Sequence, residues 1–429
     1  VRFNTKAVPP PLMRKEQSGN LILLAGIAGF LCILVVTFFH QQPPLFDEAY
    51  FVKNFDLFEK HGLSREFLVQ MDNQAPGPLY ELVHFAFKPL TNLTTPGIRL
   101  VNVFLLGLTI LILAKIISIT RQDRFRDSLY FGVALMAVPM VWQVTGLALT
   151  EMPAMFFSAL SMLILLMAIR KEPSAILSIF LALLAGLCLG LSILGRSPFL
   201  VLIPAAGVFL LDAPRSFARW RTLGIYGLCA LTVCVPVFII WDGLVPPQQA
   251  FVGKGFSAWH GILAFAYGAL LTAIIAPRWF FFNRNVIWYI LAGYALFLLI
   301  NIYLVRYEYS PLDKVMAKFL PADFMKFYPL LISPLLAALA VYFIICCLRQ
   351  AWFNRQNTVF LFFLVAGMLM FASNFKVTHL FSTRYVAQAA PFFVLLFPSY
   401  DRPGWGRLIR FIAGMIIGFL SLETYFDFA

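Results

Sequence analysis

Asp47 and Glu48 stand side by side just after the first apolar run, in Pro43-Pro44-Leu45-Phe46-Asp47-Glu48-Ala49-Tyr50. Beside an acceptor hydroxyl, a carboxylate at this depth is a general base. Placed before a helical run, Asp47 is equally a helix N-cap. Glu151 lies in Leu149-Thr150-Glu151-Met152-Pro153, a very short turn between two apolar runs. An acid centred in hydrocarbon costs about 2.5–3.5 kcal/mol, so such a residue faces a cavity or a partner. The competing reading is a helix start with Pro153 in the first turn. Arg196, in Gly195-Arg196-Ser197-Pro198, is the only charge between Glu172 and Asp212. It either snorkels to the interface or binds an anion, since a guanidinium matches phosphate geometry. Arg384, in Thr378-His379-Leu380-Phe381-Ser382-Thr383-Arg384-Tyr385, has the same two readings, with Lys376 and His379 nearby. A carboxylate base with phosphate-binding cations is the equipment for glycosyl transfer from a lipid-phosphate sugar. The base takes the acceptor's proton and the cations neutralise the departing phosphate.

Positioning these groups requires a membrane scaffold. The chain has 429 residues, 61% hydrophobic and only 12% charged, against about 45–50% and 25% in soluble domains. That excludes a soluble enzyme, a disulfide scaffold and a disordered tail. The six cysteines all fall in apolar stretches without metal-ligand spacing, so no metal and no cofactor is expected. Apolar runs predict about thirteen membrane-spanning helices: 20–39, 98–118, 129–147, 152–169, 174–194, 198–211, 222–241, 260–277, 285–305, 328–348, 357–373, 386–398 and 408–424. The segments 198–211 and 386–398 are short enough for tilted, buried or broken helices. Residues 1–19 are polar and basic, so the first span reads as an uncleaved anchor. The class is all-α and polytopic, a single transmembrane unit over residues 1–429.

The formal charge of +13 does not point to nucleic acid, because basic residues gather in cytoplasmic loops for topological reasons. With the N-terminus cytoplasmic, one face collects 20 of the 33 lysines and arginines but only 6 of the 20 acids. The other face holds the long first loop, about 40–97, with seven acids. Function is expected there, since long loops carry chemistry. Within that loop Phe51, Phe55 and Phe58 recur at helical spacing and Gly62 stops the run, which predicts an amphipathic helix over 48–60. A second helix is expected from Pro78 to about Lys88, after the polar turn 72–78.

At this point the residues resemble the GT-C superfamily of integral-membrane glycosyltransferases, which use polyprenyl-phosphate sugars. Phe46-Asp47-Glu48-Ala49-Tyr50 resembles the acidic motif that opens the first outer loop in that superfamily. Ala75-Pro76-Gly77-Pro78-Leu79-Tyr80 is similar to the Pro-Pro-Gly-Leu-Tyr segment of the dolichyl-phosphate-glucose glucosyltransferases. Leu149-Thr150-Glu151-Met152-Pro153 matches the place where an acid often opens the fourth span. Leu380-Phe381-Ser382-Thr383-Arg384-Tyr385 looks like the Glu-x-Arg-Tyr start of a late span, and Gly97-Ile98-Arg99-Leu100-Val101-Asn102 like the start of the second. One departure is Gln74-Ala75-Pro76, where protein mannosyltransferases and aminoarabinose transferases tend to have Lys-Pro-Pro.

The resemblance implies Asp47 as base, Glu48 as its support and Glu151 as orienting the acceptor or base. It implies Arg384, Arg196, Lys376 and His379 at the donor phosphate. Tyr50, Asn73, Gln74, Tyr80, Arg99 and His260 are expected to line the acceptor cavity. The partners implied are a polyprenyl-phosphate sugar, a glycan or lipid acceptor, and the bilayer. The site would lie on the periplasmic or lumenal face, in a bacterial inner membrane. The rival class is a lipid-linked-sugar flippase or other transporter. It predicts inverted repeats and mid-span charges, whereas the chain has no repeat and its notable charges lie at span ends. An O-antigen-type polymerase or ligase would favour a long late loop, and here the long loop is first.

Overall fold

The computed structural model describes residues 15–71, 77–170, 174–249, 255–306, 316, 320–379, 381–400 and 404–427. Asn73 and Gln74 lie outside the described residues. Among the described residues, ten helices are long and apolar enough to cross a membrane: Gln17–Phe39, Gly97–Arg121, Glu151–Ile169, Ala175–Gly195, Phe217–Trp241, Ala258–Ile275, Arg284–Val305, Tyr328–Phe353, Thr358–Lys376 and Trp405–Asp427. At 1.5 Å per residue, 25 residues extend about 37 Å, which exceeds the hydrocarbon thickness.

The other expected spans take different forms. The run expected over 129–147 is a pair, Phe125–Ala137 and Pro139–Gly146, bent by 80°. The break falls at Val138, whose φ −92° and ψ 106° are extended. The following proline explains this, because its ring disfavours the helical conformation at the residue before it. Ser197–Leu210 and Ala390–Ser399 are short apolar helices.

Small residues and hydroxyls join the spans. Helix α9 (Glu151–Arg170) and α10 (Ala175–Gly195) are linked by Ser161 Oγ donating to Ala185 O at 2.8 Å and Ser192 Oγ donating to Ala154 O at 2.8 Å. Between lipid-facing helices such contacts take over from the hydrophobic effect, which does not drive association there. The last helix, Trp405–Asp427, lies against the bent pair through Gly414 and Gly418, where an added Cβ would meet Ala137 O and Trp142.

The bundle has two chemically distinct ends. At the basic end Arg407 donates to Tyr130 O (2.8 Å), Arg410 to Ile274 O (3.0 Å) and Gln350 to Trp279 O (3.2 Å), while Arg126 meets Asn20 (3.4 Å). The opposite end carries the first loop. There Trp241 Nε1 donates to Leu68 O at 2.8 Å, and Ser257 N to Phe375 O at 2.8 Å. His40 faces Glu423 at 3.6 Å, so the end of the last helix lies beside the end of the first.

Among its described residues the first loop forms four short helices: α2 (Glu48–His61), α3 (Arg65–Gln70), α4 (Leu79–Ala86) and α5 (Lys88–Thr91). The expected amphipathic helix is α2. It turns Phe51 and Phe55 onto Tyr80 of α4, with ring centroids 5.3 and 5.6 Å apart. Gly62 ends it at φ 58°, a left-handed conformation that glycine adopts without strain. Helix α3 has no counterpart in the hydropathy reading. Its signal is Ser64, which accepts from Phe67 N at 3.2 Å as an N-cap. Gly77 seats this layer on the spans, since a Cβ there would lie 1.8 Å from Leu194 O.

Candidate active site

Four charged side chains from four distant segments meet at the first-loop end of the bundle. Asp47 precedes α2, Glu151 opens α9, Arg196 follows α10 as its C-cap, and Arg384 opens the short helix Arg384–Ala387. Arg384 donates through Nη1 to Asp47, and its Nε lies 3.5 Å from Glu151. Arg196 forms an ion pair with the same Glu151 carboxylate. Burial makes the arrangement directional. The Glu151 side chain is 0% exposed, Arg196 11%, Arg384 15% and Asp47 24%, so Asp47 is the solvent-facing member. Burial works against the Arg384 charge, but the Asp47 carboxylate beside it outweighs that and raises its pKa.

These contacts decide among the readings left open by the sequence. Asp47 makes no side-chain cap bond to α2; its carboxylate goes to Arg384 instead. Arg196 is turned inward to Glu151, not out to the interface.

Glu48 takes a different direction from its neighbour. It and Arg99 are both fully buried. Arg99 Nε donates to Glu48 Oε1 at 2.9 Å and Arg99 Nη2 to Oε2 at 2.6 Å, a bidentate pair. Leu45 N and Ala148 N also donate to this carboxylate, each at 2.7 Å. Arg99 Nη1 donates further to His40 O at 2.9 Å. Glu48 therefore ties the first span's exit, α2, helix α6 (Gly97–Arg121) and the turn before α9 into one knot. Arg99 does not line an open cavity as expected; the charge of Glu48 allows it to be buried completely.

The remaining candidates are placed as follows. Tyr80 is also buried rather than cavity-lining, packed between Phe51, Phe55 and His84 because the apolar faces of α2 and α4 close over it. Tyr50 is exposed beside Asp47 in sequence. His260, on helix α13 (Ala258–Ile275), pairs its Nδ1 with Val377 O and so braces the segment leading to Arg384. Lys376 and His379 are exposed, and among the described residues no ion pair joins them to the quartet.

Three residues not assigned a role from sequence also shape the site. Asn102 donates to Val144 O (3.3 Å), Leu147 O (3.5 Å) and Leu149 O (2.9 Å), fixing the turn that presents Glu151. Tyr385 lies beside both guanidiniums, 5.8 Å from Arg196 and 5.5 Å from Arg384. Gln143 bridges Thr383 (3.4 Å) and Ser421 (2.7 Å), linking the Arg384 segment to the last helix. A polar side chain inside an apolar run was the available signal for Asn102 and Gln143.

Beneath α2 and α4 lies a buried polar group distinct from the quartet: Glu81 and His84, both fully buried. Burial pushes the Glu81 carboxyl up to about 8 and the His84 imidazole down to about 3. From pH 4.5 towards 8, folded Glu81 keeps a proton that the unfolded chain has released, so its stability contribution falls with rising pH. Below 6.5 the unfolded imidazole takes a proton that folded His84 refuses, so that contribution falls with falling pH. The two cancel between 4.5 and 6.5, each at about 1.4 kcal/mol per pH unit. The first loop is thus expected to be most resistant to local opening in that window and to loosen from 6.5 towards 8. Hydrogen exchange of residues 48–91 against pH measures this. Glu81→Gln should flatten the alkaline limb; an unchanged profile in that variant would refute the assignment.

Residues 46–244 match the family model for dolichyl-phosphate-mannose-protein mannosyltransferases. That segment contains Asp47, Glu151 and Arg196, while Arg384 lies beyond it. Among solved structures the chain is similar to ArnT from Cupriavidus metallidurans in two states. Bound to undecaprenyl phosphate, ArnT aligns with a TM-score of 0.46 and 16% identity, over 92% of this chain and 76% of that one. In the apo state the TM-score is 0.43 and the identity 14%, over 94% and 77%. No curated protein sequence matches the chain. The segment similar to that mannosyltransferase family thus starts one residue before Asp47 and runs through four of the ten helices that, among the described residues, are long and apolar enough to cross a membrane.

Proposed function

We propose that the chain transfers a sugar from a polyprenyl-phosphate donor to an acceptor hydroxyl, with inversion at the anomeric carbon. The observation that carries this reading is the quartet: a half-buried carboxylate, Asp47, the most solvent-accessible of the four, beside two arginines anchored on a buried carboxylate. Asp47 takes the acceptor's proton as its oxygen attacks C1. The bond from C1 to the phosphate oxygen breaks in line, and polyprenyl phosphate leaves with the electron pair. Arg384 and Arg196 stabilise the charge that develops on it. The leaving group is already a phosphate, so one base suffices. The family's description, which names a dolichyl-phosphate sugar, supports this donor class.

The charge asymmetry supports a cytoplasmic N-terminus, with the quartet on the periplasmic or lumenal face. Residues 1–429 then act as one membrane unit, with 40–97 as the outer loop over the site. The donor enters sideways from the bilayer and the acceptor, a glycan or lipid, from the aqueous side. A bacterial inner membrane fits this arrangement.

The test uses the purified chain in lipid nanodiscs with a panel of radiolabelled polyprenyl-phosphate sugars. Binding of at least one donor, and loss of that binding in Arg384→Ala, is the expected result. Failure of the wild type to bind any of them would overturn the reading, and the lipid-linked-sugar flippase with it.

A further inference from the structure

We propose that Glu151 is a positioning residue that sets Arg196 and Arg384 as a two-guanidinium clamp, and that the donor's phosphate takes the place Asp47 holds on Arg384. This rests on the reading given under Proposed function. Glu151 is shut off from solvent and touches both arginines, so no acceptor hydroxyl reaches it past them. Its backbone is fixed by the three bonds from Asn102 to the preceding turn and by Ser192 on Ala154 O. A carboxylate held this firmly and covered on both sides acts through its neighbours.

The charges then account for the order of events. Glu151 with two arginines leaves one positive charge, and in the resting state Asp47 cancels it. A sugar-phosphate diester also carries one negative charge, so it replaces Asp47 without leaving the buried cluster unbalanced. Asp47 is the more exposed of the two acids and therefore the one displaced. Until that exchange its carboxylate is occupied by Arg384, so the base is released only when the donor is seated. Donor binding then precedes deprotonation of the acceptor.

The experiment measures binding of undecaprenyl phosphate, without any sugar, to the full chain in nanodiscs. Asp47→Asn removes the competing charge and is expected to tighten binding about tenfold, or about 1.4 kcal/mol. Glu151→Gln keeps the side-chain shape but frees the two like-charged guanidiniums to move apart; the lost clamp geometry is expected to outweigh the added positive charge and weaken binding by about tenfold. Arg196→Ala should then add less in the Glu151→Gln background than in the wild type, because the two act as a unit. Wild-type binding with an unweakened Glu151→Gln variant overturns the clamp and returns Glu151 to the acceptor side. An Asp47→Asn variant that binds no more tightly overturns the exchange, and carries the test by itself if Glu151→Gln does not fold. No binding by the wild type rejects the donor reading on which the clamp rests.

Discussion

Asp47→Asn is expected to lower the transfer rate by about 10²- to 10⁴-fold, the range for removing a general base, while leaving the fold intact. The fold survives because Asp47 is the solvent-facing member of the quartet and caps no helix. Its amide oxygen can still accept from Arg384. The rate is lost because an amide takes no proton from the acceptor, and neither neighbouring carboxylate substitutes. Glu48 is fully buried and fully hydrogen-bonded, and Glu151 is covered by two arginines. Release of labelled polyprenyl phosphate at saturating donor measures the effect, with the melting temperature as control. Wild-type turnover in this variant would remove Asp47 from the mechanism.

Glu48→Gln should fail in the opposite manner, through the fold rather than the chemistry. The glutamine keeps the size but leaves the Arg99 charge buried without its counter-ion, and breaking such a pair costs about 3–5 kcal/mol. Arg99→Leu strands the Glu48 carboxylate and should cost a similar amount. Since most of the penalty is the orphaned charge, the double variant Glu48→Gln/Arg99→Leu should be more stable than either single one. Thermal melts in detergent compare the three. A single variant as stable as the wild type would show that the knot contributes little to holding the first loop over the spans.

The sequence was informative wherever the signal is local. Runs of apolar residues reveal spans, because each turn of helix in hydrocarbon must be apolar by itself. The clustering of basic residues on alternate loops is equally local, and the bundle gathers those clusters at one end. Helix α2, with its stop at Gly62, follows from the spacing of three phenylalanines. The bend at Val138 is also local in origin, although hydropathy reads 129–147 as a single run, since apolarity is blind to backbone direction. Asp47, Glu151, Arg196 and Arg384 each stood out because a charge flanked by apolar residues needs a partner.

Which partner each one has is not a local property. Arg384 meets Asp47 across 337 positions of chain, and only the packing of the last spans against the first brings them together. The clearest case is Asp47 and Glu48, adjacent and chemically alike. Successive residues on a helix point about 100° apart. At the start of α2 that rotation sends one carboxylate out to Arg384 and solvent, and the other inward to Arg99. Composition and spacing identified an acidic pair at the mouth of a membrane bundle. The angle at which α2 meets the spans decided which acid stays within reach of solvent beside Arg384 and which is committed to holding the fold.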